Sequence, residues 1–255
     1  MKTGYVITLL SDLDIFYPKE KIMKYTKNKE FIGNMFDEIS PTYDKLNHLL
    51  SGYQDNRWRR GAVKYLTSIS NSYDNILDLA SGSGDLGMEF MELKPKKIFS
   101  ADLSLEMLKI DKEKLPKSIN QPVKTEAEHL PFKSGYFDLC GIGFGVRNFE
   151  HLSECIMEIS RVLKPGGKFV TIEMFKPLKP GILNKSFRLY FEKVLPKIGN
   201  RMAKSEYAYS YLFESVDNFI NIAEYSEILQ KCGFKILKTK NNFLGIVNSV
   251  FAEKL

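Results

Sequence analysis

Five short apolar runs separated by helical stretches lie between residues 75 and 175, and this alternation leaves few folds open. "NILDLA", "KKIFSAD", "QPVKTEAE", "YFDLCGIGF" and "KFVTIEMF" each have strand length. Helical runs follow near 84–93, from Ser104 (a good N-cap) and over "HLSECIMEISRVL", where Lys164-Pro165-Gly166-Gly167 marks a stop. Strands alternating with helices require a mostly parallel sheet with right-handed crossovers, an α/β architecture. The closing runs "FKILKTKNN" and "GIVNSVFAEKL", joined by a short turn, add an antiparallel hairpin at one sheet edge.

The first strand ends in Gly82-Ser83-Gly84-Asp85-Leu86-Gly87, the G-x-G-x-x-G spacing of a dinucleotide-binding turn. That spacing alone is weak. Asp102 ends the second strand, where an acid serves ribose hydroxyls in more than one cofactor class. Asp78 inside the strand and Asp85 after the turn are awkward beside a pyrophosphate, which needs bare N–H groups. They suit a cofactor bearing an ammonium and a sulfonium. "EAEHLPFKSGYFDLC", with Glu126, Ala127, Phe137 and Asp138, then resembles the adenine-edge region of class I methyltransferases, and "RVLKPGGKFVTIE" resembles their helix, turn and fifth strand. The resemblance implies S-adenosyl-L-methionine bound at Asp78, Gly82, Ser83, Gly84 and Asp102 and a Rossmann-like class I fold.

Further blocks narrow the class. "MFDEISPTYDKLNHLLS" with "RWRR" at 35–60, "GFGVRNFE" at 143–150, "LKPGGKFVTIEMFKP" at 163–177, "VLPKIGN" at 194–200 and "YSYLFESV" at 209–216 occur in that order. Over residues 31–250 the chain closely resembles the ubiquinone/menaquinone biosynthesis C-methyltransferase family. This implies methylation of a ring carbon on a polyprenyl quinol, either a demethylmenaquinol or a polyprenyl-methoxy-benzoquinol. Carried across, the family's cofactor contacts fall on Ser83, Asp102, Glu126 with Ala127, and Gly143, where many members have a hydroxyl residue. Arg147 and Asn148 carry the catalytic positions, and Tyr43, Asn47 and Trp58 belong to a lid over cofactor and substrate. A ring carbon is a better nucleophile as part of a phenolate, and arginine is always protonated, so Arg147 is read as stabilising the phenolate while another group takes the proton. The chain departs from the family pattern at Asp55, usually His, and at Val250 and Phe251, where a His/Arg-bearing strand is usual.

The resemblance divides the chain into a lead-in over 1–30 and one methyltransferase domain over 31–255. Within it, 31–70 is an N-terminal helical lid and about 178–215 a helical substrate cover. Cys140, Cys155 and Cys232 form no C-x-x-C pair, so neither a metal cluster nor a disulfide framework is expected. No apolar run reaches membrane-spanning length, and Asp12 and Asp14 follow Val6–Leu10 where a signal peptide needs small residues. A cytoplasmic enzyme is expected. Between Lys176 and Lys204 eight basic residues stand against Glu192 alone, an excess of +7 against +6 for the whole chain. Phe187, Tyr190, Phe191, Val194, Leu195 and Ile198 form one helical face among them, a pattern for peripheral membrane contact through 181–200. Nucleic acid is not expected as a partner, because the charge follows an amphipathic helix. A homodimer, a soluble phenolic acceptor and a catalytically silent partner role are the open alternatives.

Overall fold

A computed structural model describes residues 26–178, 181, 184, 189–203, 205 and 207–255. Seven strands, β1 (Asn75–Leu79), β2 (Lys97–Asp102), β3 (Asn120–Lys124), β4 (Phe137–Gly143), β5 (Leu163–Met174), β6 (Phe234–Phe243) and β7 (Val247–Lys254), form one sheet in the order β3-β2-β1-β4-β5-β7-β6. The strands β3 to β5 run parallel, and β7 pairs antiparallel with both β5 and β6. The expected class and the edge hairpin are both present. Strand β5 begins earlier than the sequence suggests. Phe137 pairs with Leu163, Lys164-Pro165-Gly166-Gly167 loops out of register, and pairing resumes at Leu139 and Lys168.

Helices α1 (Lys29–Ile39), α2 (Tyr43–Leu50) and α3 (Gln54–Ile69) precede the sheet. Between strands come α4 (Asp85–Phe90), α5 (Leu105–Lys114) and α6 (Leu152–Val162). After β5 come α7 (Leu195–Ala203), α8 (Ala208–Asp217) and α9 (Ile222–Lys231). The alternation of β1 explains the two cores. Leu77 and Leu79 join a cluster with α6 and α9, whereas Ile76 joins Ala62, Val63, Leu66 and Phe90 on the α3–α4 face. A third cluster lies off the sheet, where α1 and α2 meet α7 and α8 through Ile32, Met35, Leu46, Leu195 and Tyr209. Helices α1, α2, α7 and α8 therefore form one packed unit.

The order of strands reverses between β1 and β4, and the glycine turn stands at the carboxyl end of β1 beside that crevice. Gly84 has φ 87°, and a Cβ there would lie 2.3 Å from Asp111 Oδ1. The lead-in through residue 25 and part of the predicted amphipathic helix, including Lys185, Phe187 and Arg188, lie outside the described residues.

Gly141 on β4 faces Phe90 so closely that a Cβ would lie 2.3 Å from its Cζ. Gly141→Ala is expected to cost about 1–3 kcal/mol through overpacking. Urea unfolding should show a lower midpoint with an unchanged slope.

Candidate active site

Two cavities share one wall. The smaller, about 70 Å³, runs from Gly82 past Asp102 to Ala127, Gly143 and Asn148. The larger, about 220 Å³, lies under lid and cover and reaches Asn47, Asp55, Trp58, Arg59 and Arg147. Phe36, Tyr43 and Phe144 line both. Burial raises the Tyr43 hydroxyl to about 12, so it stays a neutral donor in that wall.

In the smaller cavity Asp102 accepts from the Gly82 and Ser104 N–H groups, each at 2.8 Å. One carboxylate thus fixes the glycine turn and the entry to α5, and burial raises its pKa despite those bonds. Among the described lining residues, Asp102, Glu128 and Glu150 face one cation, Lys29, which pairs with Glu126 and with Glu128 at 3.4 Å. This donor set is wrong for a pyrophosphate and right for a cofactor carrying a sulfonium and an ammonium. The residues present fit S-adenosylmethionine: Asp102 would hold its ribose hydroxyls, and Met107, Ala101 and Ala127 would offer its apolar surroundings.

Other predicted cofactor residues sit elsewhere. Asp78 is fully buried on the α3–α4 side of β1, outside the cavity wall, and neither of its oxygens has a hydrogen-bond partner among the described residues. Burial, with Asp111 nearby, raises its pKa well above the ordinary range. The Ser83 hydroxyl donates to Asp44 of α2, Gly84 packs against Asp111, and Glu126 is held by Lys29 outside the cavity while Ala127 lines it. Asp85 is neutralised by Lys114 at 2.8 Å and Arg59 at 3.4 Å. Asp138, at the opposite end of β4, accepts from the Asn75 N–H at 2.8 Å and pairs with Lys164, so it does not edge an adenine.

In the larger cavity Arg147 sits on a 3-10 turn, Val146–Asn148. Its Nη1 donates to Glu173 Oε1 at 2.8 Å and to the Phe144 carbonyl at 2.5 Å, and its Nε donates to Ser215 Oγ at 3.2 Å. Glu173 also accepts from the Arg147 and Met174 N–H groups. Burial works against the Arg147 charge, and Glu173 and Tyr43 outweigh it, so its pKa rises further. The adjacent Asn148 accepts from Tyr211 Oη at 3.2 Å and lines the smaller cavity. Sequence reasoning missed Glu173; its signal was an acid inside the apolar strand "KFVTIEMF".

Asp55 is met by a histidine from the preceding helix. Its carboxylate accepts from Arg59 Nη1 at 2.6 Å, is 2.7 Å from His48 Nδ1, and accepts from Ser51 Oγ at 2.8 Å. Burial pushes its pKa up, but Arg59 with the other donors holds it below the ordinary range. His48, Asp55 and Asp85 form a metal-type grouping, and Arg59 already bridges both carboxylates. Val250 and Phe251 are buried in opposite-facing clusters of β7, so the departure there repacks the core and touches neither cavity. His129 and His151 are exposed.

Residues 23–254 match the ubiE/COQ5 methyltransferase family. The chain belongs to that family. It is 42% identical over 217 residues to a demethylmenaquinone methyltransferase of Chlorobaculum parvum, covering 84% of this chain and 89% of the relative. It is 33% identical over 221 residues to the ubiquinone/menaquinone biosynthesis C-methyltransferase UbiE of Bartonella quintana, covering 84% and 85%. Among solved structures, the [4+2]-cyclase SpnF shares the fold with TM-score 0.64 at 16% identity, covering 88% and 94% of the two chains. A SAM-dependent methyltransferase of Thermotoga maritima, described as a possible histamine N-methyltransferase, does so at 0.60 and 18%, covering 88% and 100%. The protein is thus a SAM-dependent methyltransferase of class I fold.

Two outcomes follow from these positions. A Cβ at Gly143 meets only Leu86, at 3.7 Å, so Gly143→Ser is accommodated. A serine there should tighten S-adenosylmethionine binding by about 0.5–1.5 kcal/mol, one hydrogen bond, measured by calorimetry. Asp78 is protonated in folded and unfolded chains at low pH, and above about pH 4 only the unfolded chain ionises, so its component of stability falls as pH rises. Asp78→Asn removes that fall, and the melting temperature of variant minus wild type should climb with pH; a constant difference would refute it.

Proposed function

We propose that this chain transfers a methyl group from S-adenosylmethionine to an unsubstituted ring carbon of a demethylated, polyprenylated quinol. The observation that carries this reading is the larger cavity: apolar walls from Met35, Ile39, Trp58, Phe191, Leu195 and Phe243, with the Arg147 guanidinium among them, meeting the cofactor cavity at Tyr43 and Phe144. The cofactor supplies an electrophilic methyl on sulfur. Arg147 stabilises the ring oxygen as it becomes a phenolate, and Glu173, Ser215 and the Phe144 carbonyl fix the guanidinium for that task. Lid and cover exclude water, which keeps that electrostatic term strong.

A polyprenyl tail resides in lipid, so we place the cavity mouth against a bilayer. Leu49 (51% exposed) and Tyr53 (60%) flank the cavity residues Leu50 and Gln54, and Leu189 (60%) flanks Tyr190. Exposed Lys45, Arg57, Lys193 and Arg201 lie on the same helices and suit anionic headgroups, at about 1 kcal/mol each near the surface. No helix among the described residues is long and apolar enough to cross a membrane. Co-sedimentation with vesicles should rise with anionic lipid content and fall with salt.

The test is methyl transfer from labelled S-adenosylmethionine to demethylmenaquinol and to a demethylated benzoquinol in detergent. Arg147→Lys keeps the charge beside Glu173 but loses the planar fork. It should lower kcat by about 10- to 100-fold with cofactor affinity unchanged. Label in neither quinol would favour a soluble phenol as acceptor.

A further inference from the structure

We propose that Asp55 and His48 are the proton acceptor for the substrate hydroxyl. This rests on seating the quinol ring in the larger cavity. Arg147 stays protonated, and burial keeps the Tyr43 hydroxyl protonated as well, so neither can accept a proton. Among the described residues lining that cavity, Asp55 is the carboxylate. It is 3% exposed, and its Oδ2 is 2.7 Å from His48 Nδ1. On its other side His48 Nε2 lies 3.7 Å from Asp85 Oδ2, and the side chain is 19% exposed, so the imidazole joins the buried carboxylate to solvent. The Tyr53 ring stacks on it at 5.8 Å. The charged groups facing this pair are Arg59 of α3, Asp85 of α4 and, through Asp85, Lys114 of α5. An imidazolium here is flanked by two carboxylates.

The hydroxyl O–H bond breaks toward Asp55, and its electron pair conjugates into the ring. The ortho carbon forms a bond to the methyl carbon while the methyl–sulfur bond breaks onto sulfur, leaving a neutral thioether. With the imidazole hydrogen on Nε2, toward Asp85, Nδ1 takes the proton from Asp55, and the imidazolium so formed releases a proton from Nε2 to solvent. The methylated carbon then loses its own hydrogen as a proton and the oxygen regains one, so one proton leaves per methyl transferred. Arg147 and the Asp55–His48 pair thus divide the work: one holds the negative oxygen, the other removes its hydrogen.

The experiment compares full-length wild type and His48→Gln on demethylmenaquinol and on a ring-fluorinated analogue whose hydroxyls are more acidic. His48→Gln should bind cofactor and quinol as wild type does and lose about 100-fold in kcat on demethylmenaquinol. The loss should shrink below about tenfold on the acidic analogue, because an ionised substrate needs no base. Equal losses on both substrates, or no loss, would overturn the proposal. Trp58→Ala separates the two levels of inference. A raised quinol KM there with wild-type behaviour in His48→Gln overturns the proton acceptor alone, whereas an unchanged KM places the ring elsewhere and overturns both.

Discussion

The buried pair of Arg147 and Glu173 joins three parts of the molecule that the chain keeps far apart. Glu173 stands near the end of β5, Arg147 on the turn after β4, and Ser215, which holds the guanidinium Nε, on a cover helix. A guanidinium and a carboxylate taken together out of water are tolerable only when their remaining donors and acceptors are met. Here the Phe144 carbonyl and the N–H groups of Arg147 and Met174 complete the set. The pair thus links the sheet, the turn after β4 and helix α8 through one buried guanidinium. Losing either partner leaves an isolated buried charge, a cost of about 3–5 kcal/mol.

That constraint explains why the two cavities meet. Adjacent residues on one short turn face different chambers, Arg147 toward the larger and Asn148 toward the cofactor side. Phe36 and Tyr43 from the lid and Phe144 from the turn fill the wall between them. Lid and glycine turn are tied as well: Asp44 accepts from Ser83, and Lys114 reaches Asp44 at 2.5 Å and Asp85 at 2.8 Å. Each element that forms the wall between the two cavities is thus braced by a second.

The two departures from the family pattern have unlike consequences. At Val250 and Phe251 apolar side chains pack into the sheet core, and Phe251 meets Tyr65 with ring centroids 4.4 Å apart. At Asp55 the change lies in the wall of the larger cavity, where the imidazole arrives from His48, one helix earlier. A difference in sequence pattern bears on chemistry only where the fold brings it to a cavity.

The fold was legible because its signals are local. Strand and helix periods, the N-cap Ser104, the glycine turn and the stop at Lys164-Pro165 act over a few residues, and each produced the element it implied. Positions fixed by a backbone end, such as Asp102, Gly82 and Gly143, were legible for the same reason, since the end of a parallel strand at the switch point faces the ligand. Side chains whose roles depend on a partner were not. Nothing near Asp78 in the chain says that it faces away from the cavity, and nothing near Ser83 or Glu126 announces Asp44 or Lys29. The sequence by itself determined the architecture, the cofactor class and Arg147 as the cation of interest. Only the tertiary structure decided which buried carboxylate each cation answers to, because burial makes an unpaired charge costly and long-range packing alone selects its partner.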